Sequence, residues 1–264
     1  YDHSFVEGVA LPAPRAGLAI TATAAGQVFL FGGTGADGNP TGTLWRFDTT
    51  VAPNGAAYAL SEDAGLARTG QLIVSLVDRF LITGTPALEL AATAPAARSD
   101  IAGLPAAGAV AVSGNQAIFA GAPIVRFHDG VFDTLAGSAP IDAGAQGLPD
   151  GRVVFFGGGA SRDAIVVDTD GTVTVIADAL ATPRARPTIA ATTRQLLVSG
   201  GADALGAPVA SAELFDVTTL APLAVLPMLA RSGGFAIALP DDQILLGGGV
   251  PAAATLELYT PEPP

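Results

Sequence analysis

Cysteine and lysine are both missing from this chain, and histidine occurs only twice and tryptophan once. Without cysteine there is no disulfide, no thiolate nucleophile and no cysteine-ligated metal, so stability has to come from packing. Without lysine, Schiff-base chemistry on an amine side chain is excluded, and all 12 basic residues are arginines. Positive charge is scarce overall. Twenty-four acidic residues leave a net charge of −12 and a pI near 4.3, which disfavours a non-specific grip on nucleic acid or on an anionic membrane surface. No uncharged stretch reaches the 18 or so apolar residues of a membrane span, so membrane insertion is not expected. The chain opens at Tyr1 with no basic, hydrophobic leader, as a trimmed or processed terminus would.

What the chain does have is small and apolar. Half of it is hydrophobic, and 33 glycines and 20 prolines are spread along its whole length, the composition of many short strands joined by tight turns. A length of 264 residues allows one large all-β domain or two ordinary ones.

Internal similarity decides between them. One unit recurs: an apolar strand, a turn, a stronger apolar strand ending in glycine, a loop, and an alternating third strand. It is clearest from Gly17 to Asp48, with Val28-Phe29-Leu30-Phe31-Gly32-Gly33 as its second strand. That strand returns as Phe80 to Gly84, Ala117 to Gly121, Val153 to Gly158, Leu196 to Gly201 and Ile244 to Gly248. Starting points at Gly17, Gly70, Gly108, Gly144, Thr188 and Gly233 are spaced by 36 to 53 residues. Third strands follow at Ala87 to Leu90, Ile124 to Phe127, Ala164 to Val167, Ala212 to Phe215 and Thr255 to Tyr259. Fourth strands are expected at 56–60, 131–135, 172–176 and 223–226, with a degraded one between Arg98 and Leu104.

The last copy lacks a fourth strand, because prolines follow Tyr259 and cannot continue a ladder. Ser4 to Val9 is expected to supply it from the other end of the chain. The second strands are apolar at nearly every position, so both of their faces should be buried between neighbouring sheets. The expected architecture is therefore a single all-β domain over residues 1–264, a six-bladed β-propeller of four-stranded antiparallel blades closed by the N-terminal strand.

Phe31-Gly32-Gly33 with Phe47-Asp48, Ser199-Gly200-Gly201 with Phe215-Asp216, and Gly247-Gly248 with Tyr259 resemble the Kelch repeat, in which a glycine pair ends the second strand and an aromatic and an acid end the third. Repeats two and three depart from it, with Thr83-Gly84 and Ala120-Gly121 in place of the pair. The resemblance implies a fold and no particular activity.

Four arginines, Arg15, Arg68, Arg186 and Arg231, stand just before a first strand, where repeats three and four carry Ala106 and Asp142. The Kelch resemblance implies that this approach shares a face with the loops between second and third strands, near a central channel. A partial ring of guanidinium groups there would hold carboxylates in a two-pronged fashion. The alternative is that each arginine bridges to a neighbouring blade's backbone or acid and so holds the ring together. The loops Thr34 to Gly42 and Ala202 to Ser211 on that face carry Asp37 and Asp203, as ligand contacts or as plain connections.

Other motifs yield less. Asp168-Thr169-Asp170-Gly171 opens like a calcium loop but lacks the far carboxylate, so a hairpin turn is expected. His128 beside Asp129 is a polar strand end, and no metal is expected at either place. A copper-radical oxidase would need a cysteine-linked tyrosine, and a sialidase-like site would need a central tyrosine, whereas Tyr58 and Tyr259 fall on outer strands. No nucleotide loop or zinc spacing is present, so no cofactor is expected and catalysis is disfavoured.

The expected function is a binding scaffold for a protein or acidic peptide on the arginine-bearing face. A structural surface or assembly subunit is the first alternative and a carbohydrate-active enzyme the second. The acidic, lysine-free, proline-ended chain suggests an extracytoplasmic or cell-surface location; oligomeric state is left open.

Overall fold

A computed structural model of the chain describes residues 10–22, 27–48, 56–77, 79–90, 96–105, 108–251 and 255–261. It is all-β, six antiparallel sheets of three or four strands, an arrangement consistent with a β-propeller. Each sheet is built from one sequence repeat in simple up-and-down order. Two compact units, Tyr1–Ala107 and Gly108–Pro264, divide the chain.

The first unit holds two sheets. Sheet one runs β1 (Ala19–Ala22), β2 (Gln27–Phe31), β3 (Thr43–Asp48) and β4 (Ala56–Glu62); sheet two runs β5 (Ile73–Ser75), β6 (Phe80–Ile82), β7 (Leu88–Leu90) and β8 (Ala96–Ala97). Phe29, Phe31 and Leu44 of the first pack on Phe80, Ile82 and Leu88 of the second, with the Phe29 and Phe80 rings 4.9 Å apart. The degraded fourth strand of repeat two is β8, two residues ahead of the segment in which the sequence places it. Two residues suffice for a pair of ladder partners, Leu88 with Ala97 and Glu89 with Ala96.

The second unit holds four sheets. Sheet three is β9 (Val110–Ser113), β10 (Gln116–Phe119), β11 (Ile124–His128) and β12 (Val131–Leu135); sheet four is β13 (Gly144–Gly147), β14 (Val153–Phe156), β15 (Ala164–Val167) and β16 (Val173–Ile176). Sheet five is β17 (Thr188–Ala191), β18 (Gln195–Ser199), β19 (Val209–Asp216) and β20 (Pro222–Arg231), and sheet six is β21 (Phe235–Ala238), β22 (Ile244–Gly247) and β23 (Glu257–Tyr259).

The continuous apolarity of the second strands has the expected cause. In β14 all four residues are fully buried, and successive side chains point to opposite faces. Val153 and Phe155 enter the core shared with sheet three, while Val154 and Phe156 enter the core shared with sheet five. A phenylalanine so enclosed contributes roughly 1.5–3 kcal/mol by burial.

A second regularity joins consecutive repeats. The paired glycines all lie in left-handed backbone, with φ of 68° and 82° at Gly32 and Gly33, 69° and 100° at Gly157 and Gly158, and 60° and 91° at Gly200 and Gly201. A methyl group on the first of each pair would meet a carbonyl oxygen of the following repeat: Arg68 at 2.7 Å from Gly32, Arg184 at 2.4 Å from Gly157, and Arg231 at 2.6 Å from Gly200. The second glycine uses its N–H on the same oxygen, Gly33 on Arg68 and Gly158 on Arg184, both at 2.9 Å. Glycine is required there by sterics as well as by φ.

In repeat six the pair is Gly248-Gly249 (φ 67° and 93°), because Gly247 is still the last residue of β22. The sequence reading of Gly247-Gly248 was thus one residue early within a run of three glycines. Repeats two and three, which have one glycine, bridge instead through Gly84 to Leu104 and Gly121 to Ala139.

The turns Asp150-Gly151 and Asp168–Gly171 join β13 to β14 and β15 to β16 as hairpins, the latter closed by Asp168 N–H on Thr172 O and Gly171 N–H on Asp168 O, both 2.9 Å. Sheet six has three strands among the described residues, and Ser4 to Val9 lies outside them. Among the described residues no helix is long and apolar enough to cross a membrane.

Candidate functional site

Strand register fixes which arginines are equivalent. Ala19 pairs with Phe31, Thr188 with Ser199 and Phe235 with Gly247. Counting back from each places Arg15, Arg184 and Arg231 at one position, each followed by a residue bridged to the end of the glycine turn: Ala16 to Thr34, Ala185 to Ala202, Ser232 to Val250. Arg186 is therefore not the fifth repeat's counterpart of Arg15; Arg184 is. In repeat four the position belongs to Pro140, two residues before Asp142, and a methyl on Gly158 would lie 2.3 Å from its Cβ.

The true set braces its own repeats. Arg184 is fully buried. Its Nη1 donates to the carbonyls of Gly200 at 3.0 Å and Ser211 at 2.8 Å, and its Nη2 to Glu213 at 2.7 Å. Burial holds its pKa below the usual arginine value, and Glu213 opposes that shift. Arg231 is 1% exposed and makes the same contact with Glu257, which stands where Glu213 stands in the previous repeat. In repeat one Trp45 occupies that third-strand position, and the Arg15 guanidinium lies 4.9 Å from its ring centroid as a cation–π contact. Arg68 has no acidic partner among the described residues; its Nη1 donates to the carbonyls of Thr83 at 3.0 Å and Pro86 at 2.8 Å. Arg68 and Arg231 thus have their guanidinium groups engaged inside their own repeats, whereas the bracing alternative expects contacts to a neighbouring one.

The two loop acids are engaged locally. Asp37 accepts from the Asn39 backbone N–H and side-chain amide, both at 3.0 Å, and those bonds hold its pKa below the ordinary value. Asp203 accepts from the backbone N–H of Leu205 at 2.8 Å and Ala207 at 2.9 Å. Each side chain shapes the turn that carries it. His128 Nδ1 stands 3.4 Å from Asp129 and Nε2 3.6 Å from Asp133, whose carboxylate is bidentate with Arg126.

Arg186 differs from the other three. It occupies the position of Gly17 (φ 63°), Gly70 (φ 76°) and Gly233 (φ 69°), and it shares their left-handed backbone at φ 50°. For a residue with a side chain that conformation costs roughly 1–2 kcal/mol. Its N–H donates to the Asp142 carbonyl at 2.6 Å, which fixes the backbone. The side chain is exposed, and among the described residues it has no hydrogen-bond or ion-pair partner. It lines a cleft of roughly 430 Å³ within the second unit, with Ala202, Gly206, Pro208, Ser232, Gly233 and Val250. So of Arg186 and Arg231, expected together on one face, the first opens into a cleft and the second is enclosed.

Sequence reasoning reached Arg186 through the wrong equivalence and missed Arg184, Glu213, Glu257 and Trp45. The signal for the acids was present: Glu-Leu followed by an aromatic occurs in the third strands of repeats five and six, as Glu213-Leu214-Phe215 and Glu257-Leu258-Tyr259. No protein-family model matches this chain, and no curated protein matches it.

Proposed function

We propose that the six sheets are the blades of one closed Kelch-like propeller completed by Ser4 to Val9, and that it serves as a binding scaffold for a protein or peptide carrying carboxylates. The observation that carries the binding reading is Arg186: an exposed guanidinium without a partner among the described residues, in a backbone conformation unfavourable to it, at the wall of a cleft. Residues held in such conformations cluster at functional sites, and a planar guanidinium suits a carboxylate. The acidic chain around it makes an isolated cationic point selective for acids that approach in one orientation.

A fluorescein-labelled, amidated peptide with three consecutive glutamates, titrated by anisotropy, tests this reading. Binding that weakens with salt and is lost in Arg186→Gly supports it; equal binding to both proteins, or to neither, overturns it. Deleting residues 1–10 tests the closure, with a marked fall in melting temperature expected and an unchanged curve refuting it.

A structural or assembly role is favoured by one observation of its own. The outer strand β20 presents Leu223, Val225 and Leu229 about half exposed, an apolar rim of the kind that packs against a neighbour.

A further inference from the structure

Aspartate is followed directly by glycine four times in the chain, at 37–38, 129–130, 150–151 and 170–171, and all four aspartates are exposed. At such a pair a polypeptide can rearrange its own backbone, because glycine has no side chain to keep the preceding carboxyl group from its nitrogen. The rearrangement needs the neutral carboxyl, whose hydroxyl can leave.

Access to water does not separate the four, but the engagement of the carboxylate does. Asp37 accepts from the Asn39 N–H and side-chain amide, both at 3.0 Å. Asp150 accepts from the Arg152 N–H at 3.1 Å and its Nε at 2.7 Å, and Asp170 accepts from the Thr172 N–H at 2.8 Å. Each of the three is therefore tied to the residue two places along, the local bond by which aspartate shapes a turn. Asn39 and the Thr172 N–H hold the carboxyls of Asp37 and Asp170 below the ordinary value; burial raises that of Asp150, and Arg152 more than offsets it. Hydrogen bonds to a charged group are stronger than those between neutral groups, so all three carboxylates are fixed in the unreactive form.

Asp129 has no such bond among the described residues. Its side chain is 90% exposed, and its one hydrogen-bonding contact is His128 Nδ1 at 3.4 Å, longer than an ordinary hydrogen bond. The tightness of the turn explains the difference. Asp129 and Gly130 alone join β11 to β12, so the residue two places along is Val131, already the ladder partner of His128. Asp129 is also held in left-handed backbone at φ 48°, which disfavours a residue with a side chain.

We infer that Asp129-Gly130 is a site of spontaneous backbone isomerisation, the one of the four Asp-Gly pairs whose carboxyl the fold leaves free to react. The Gly130 nitrogen attacks Asp129 Cγ; the N–Cγ bond forms, the Cγ–OH bond breaks, and the hydroxyl leaves with the amide proton as water. Water then opens the resulting succinimide at either carbonyl. Opening at the original backbone carbonyl routes the chain through the side chain as isoaspartate, and opening at the other restores aspartate. Only water is exchanged, and nothing is oxidised or reduced. The isoaspartate form has one more backbone atom between His128 and Val131, the pair that closes the turn, and carries a free α-carboxyl group.

The test holds the protein at pH 6 and 37 °C, folded and in parallel unfolded in guanidinium chloride, with samples taken over weeks. Tryptic peptides, Phe127–Arg152 among them, are fragmented by electron transfer, which tells isoaspartate from aspartate at each position. In the folded protein isoaspartate is expected at 129 at least about tenfold faster than at 37, 150 or 170, a difference in barrier of about 1.4 kcal/mol. In denaturant the four positions are expected to react at similar rates. The inference is overturned if the folded protein forms no isoaspartate at 129, or if the lead of Asp129 over the other three is no greater folded than unfolded. In the second case the local sequence and not the fold would set the rate.

Discussion

Replacing Glu213 by alanine is expected to be among the most damaging single changes on the surface-remote side of sheet five. The carboxylate is 3% exposed and accepts three hydrogen bonds, from the Ala181 N–H at 2.7 Å, the Thr182 N–H at 3.2 Å and Arg184 Nη2 at 2.7 Å. Alanine would strand a fully buried guanidinium and leave two backbone donors without their acceptor. Breaking one side of such a pair costs about 3–5 kcal/mol, a large part of the 5–15 kcal/mol that typically holds a domain together. The assay is equilibrium urea unfolding at pH 7, followed by far-UV circular dichroism.

The double variant Arg184→Met with Glu213→Leu removes both charges and fills the space with apolar atoms. It should lose much less than the sum of the two single variants. A loss below about 1 kcal/mol for Glu213→Ala, or strict additivity in the double variant, would refute the view that this pair is a coupled internal brace.

Gly200→Ala should destabilise by at least the 1–2 kcal/mol roughly expected of a left-handed non-glycine residue, because the added methyl also meets the Arg231 carbonyl at 2.6 Å; a variant as stable as wild type would contradict the inter-repeat contact. Acid sensitivity should begin late. Asp216 and Asp242 are held below the ordinary value of 3.8 chiefly by the backbone N–H groups of Thr219 and Thr193, and Asp133 chiefly by the Arg126 guanidinium. Since their folded pKa values are depressed, the stability they contribute is complete above about pH 4 and is lost as pH falls below it through the folded values. Melting temperatures at pH 7, 5, 3 and 2 check this, and a substantial loss between pH 7 and 5 would argue against it.

The parts of the fold that follow from periodicity were legible in the sequence. Unbroken apolar strands such as Val153–Phe156 can only be accommodated where both faces are covered, and glycine after aspartate marks the hairpins at Asp150-Gly151 and Asp170-Gly171. The equivalence of the arginines was not legible, for a specific reason. Repeat five reads Arg184-Ala185-Arg186-Pro187, and the position that is glycine in repeats one, two and six is filled by a second arginine. With the landmark glycine gone, small-residue spacing pointed two residues too far along. Only the register of Thr188 against Ser199 corrects it. The same substitution that hid the repeat is what makes Arg186 a candidate site, because a side chain placed where the backbone favours none stands clear of the packing that encloses Arg184.

The glycine-to-arginine contacts also bear on how a chain like this can grow or shrink. Gly32, Gly157 and Gly200 each accommodate a carbonyl belonging to the copy that comes next, so the two halves of every such joint are encoded in different repeats. A duplicated or transplanted copy fits only where the preceding copy ends in a glycine turn and its own lead-in presents the oxygen at the matching place. Copies of this kind can therefore be exchanged among positions one, four and five with their successors. A graft across Gly84 or Gly121, where the joint is made by different bridges, would have to import its neighbour as well.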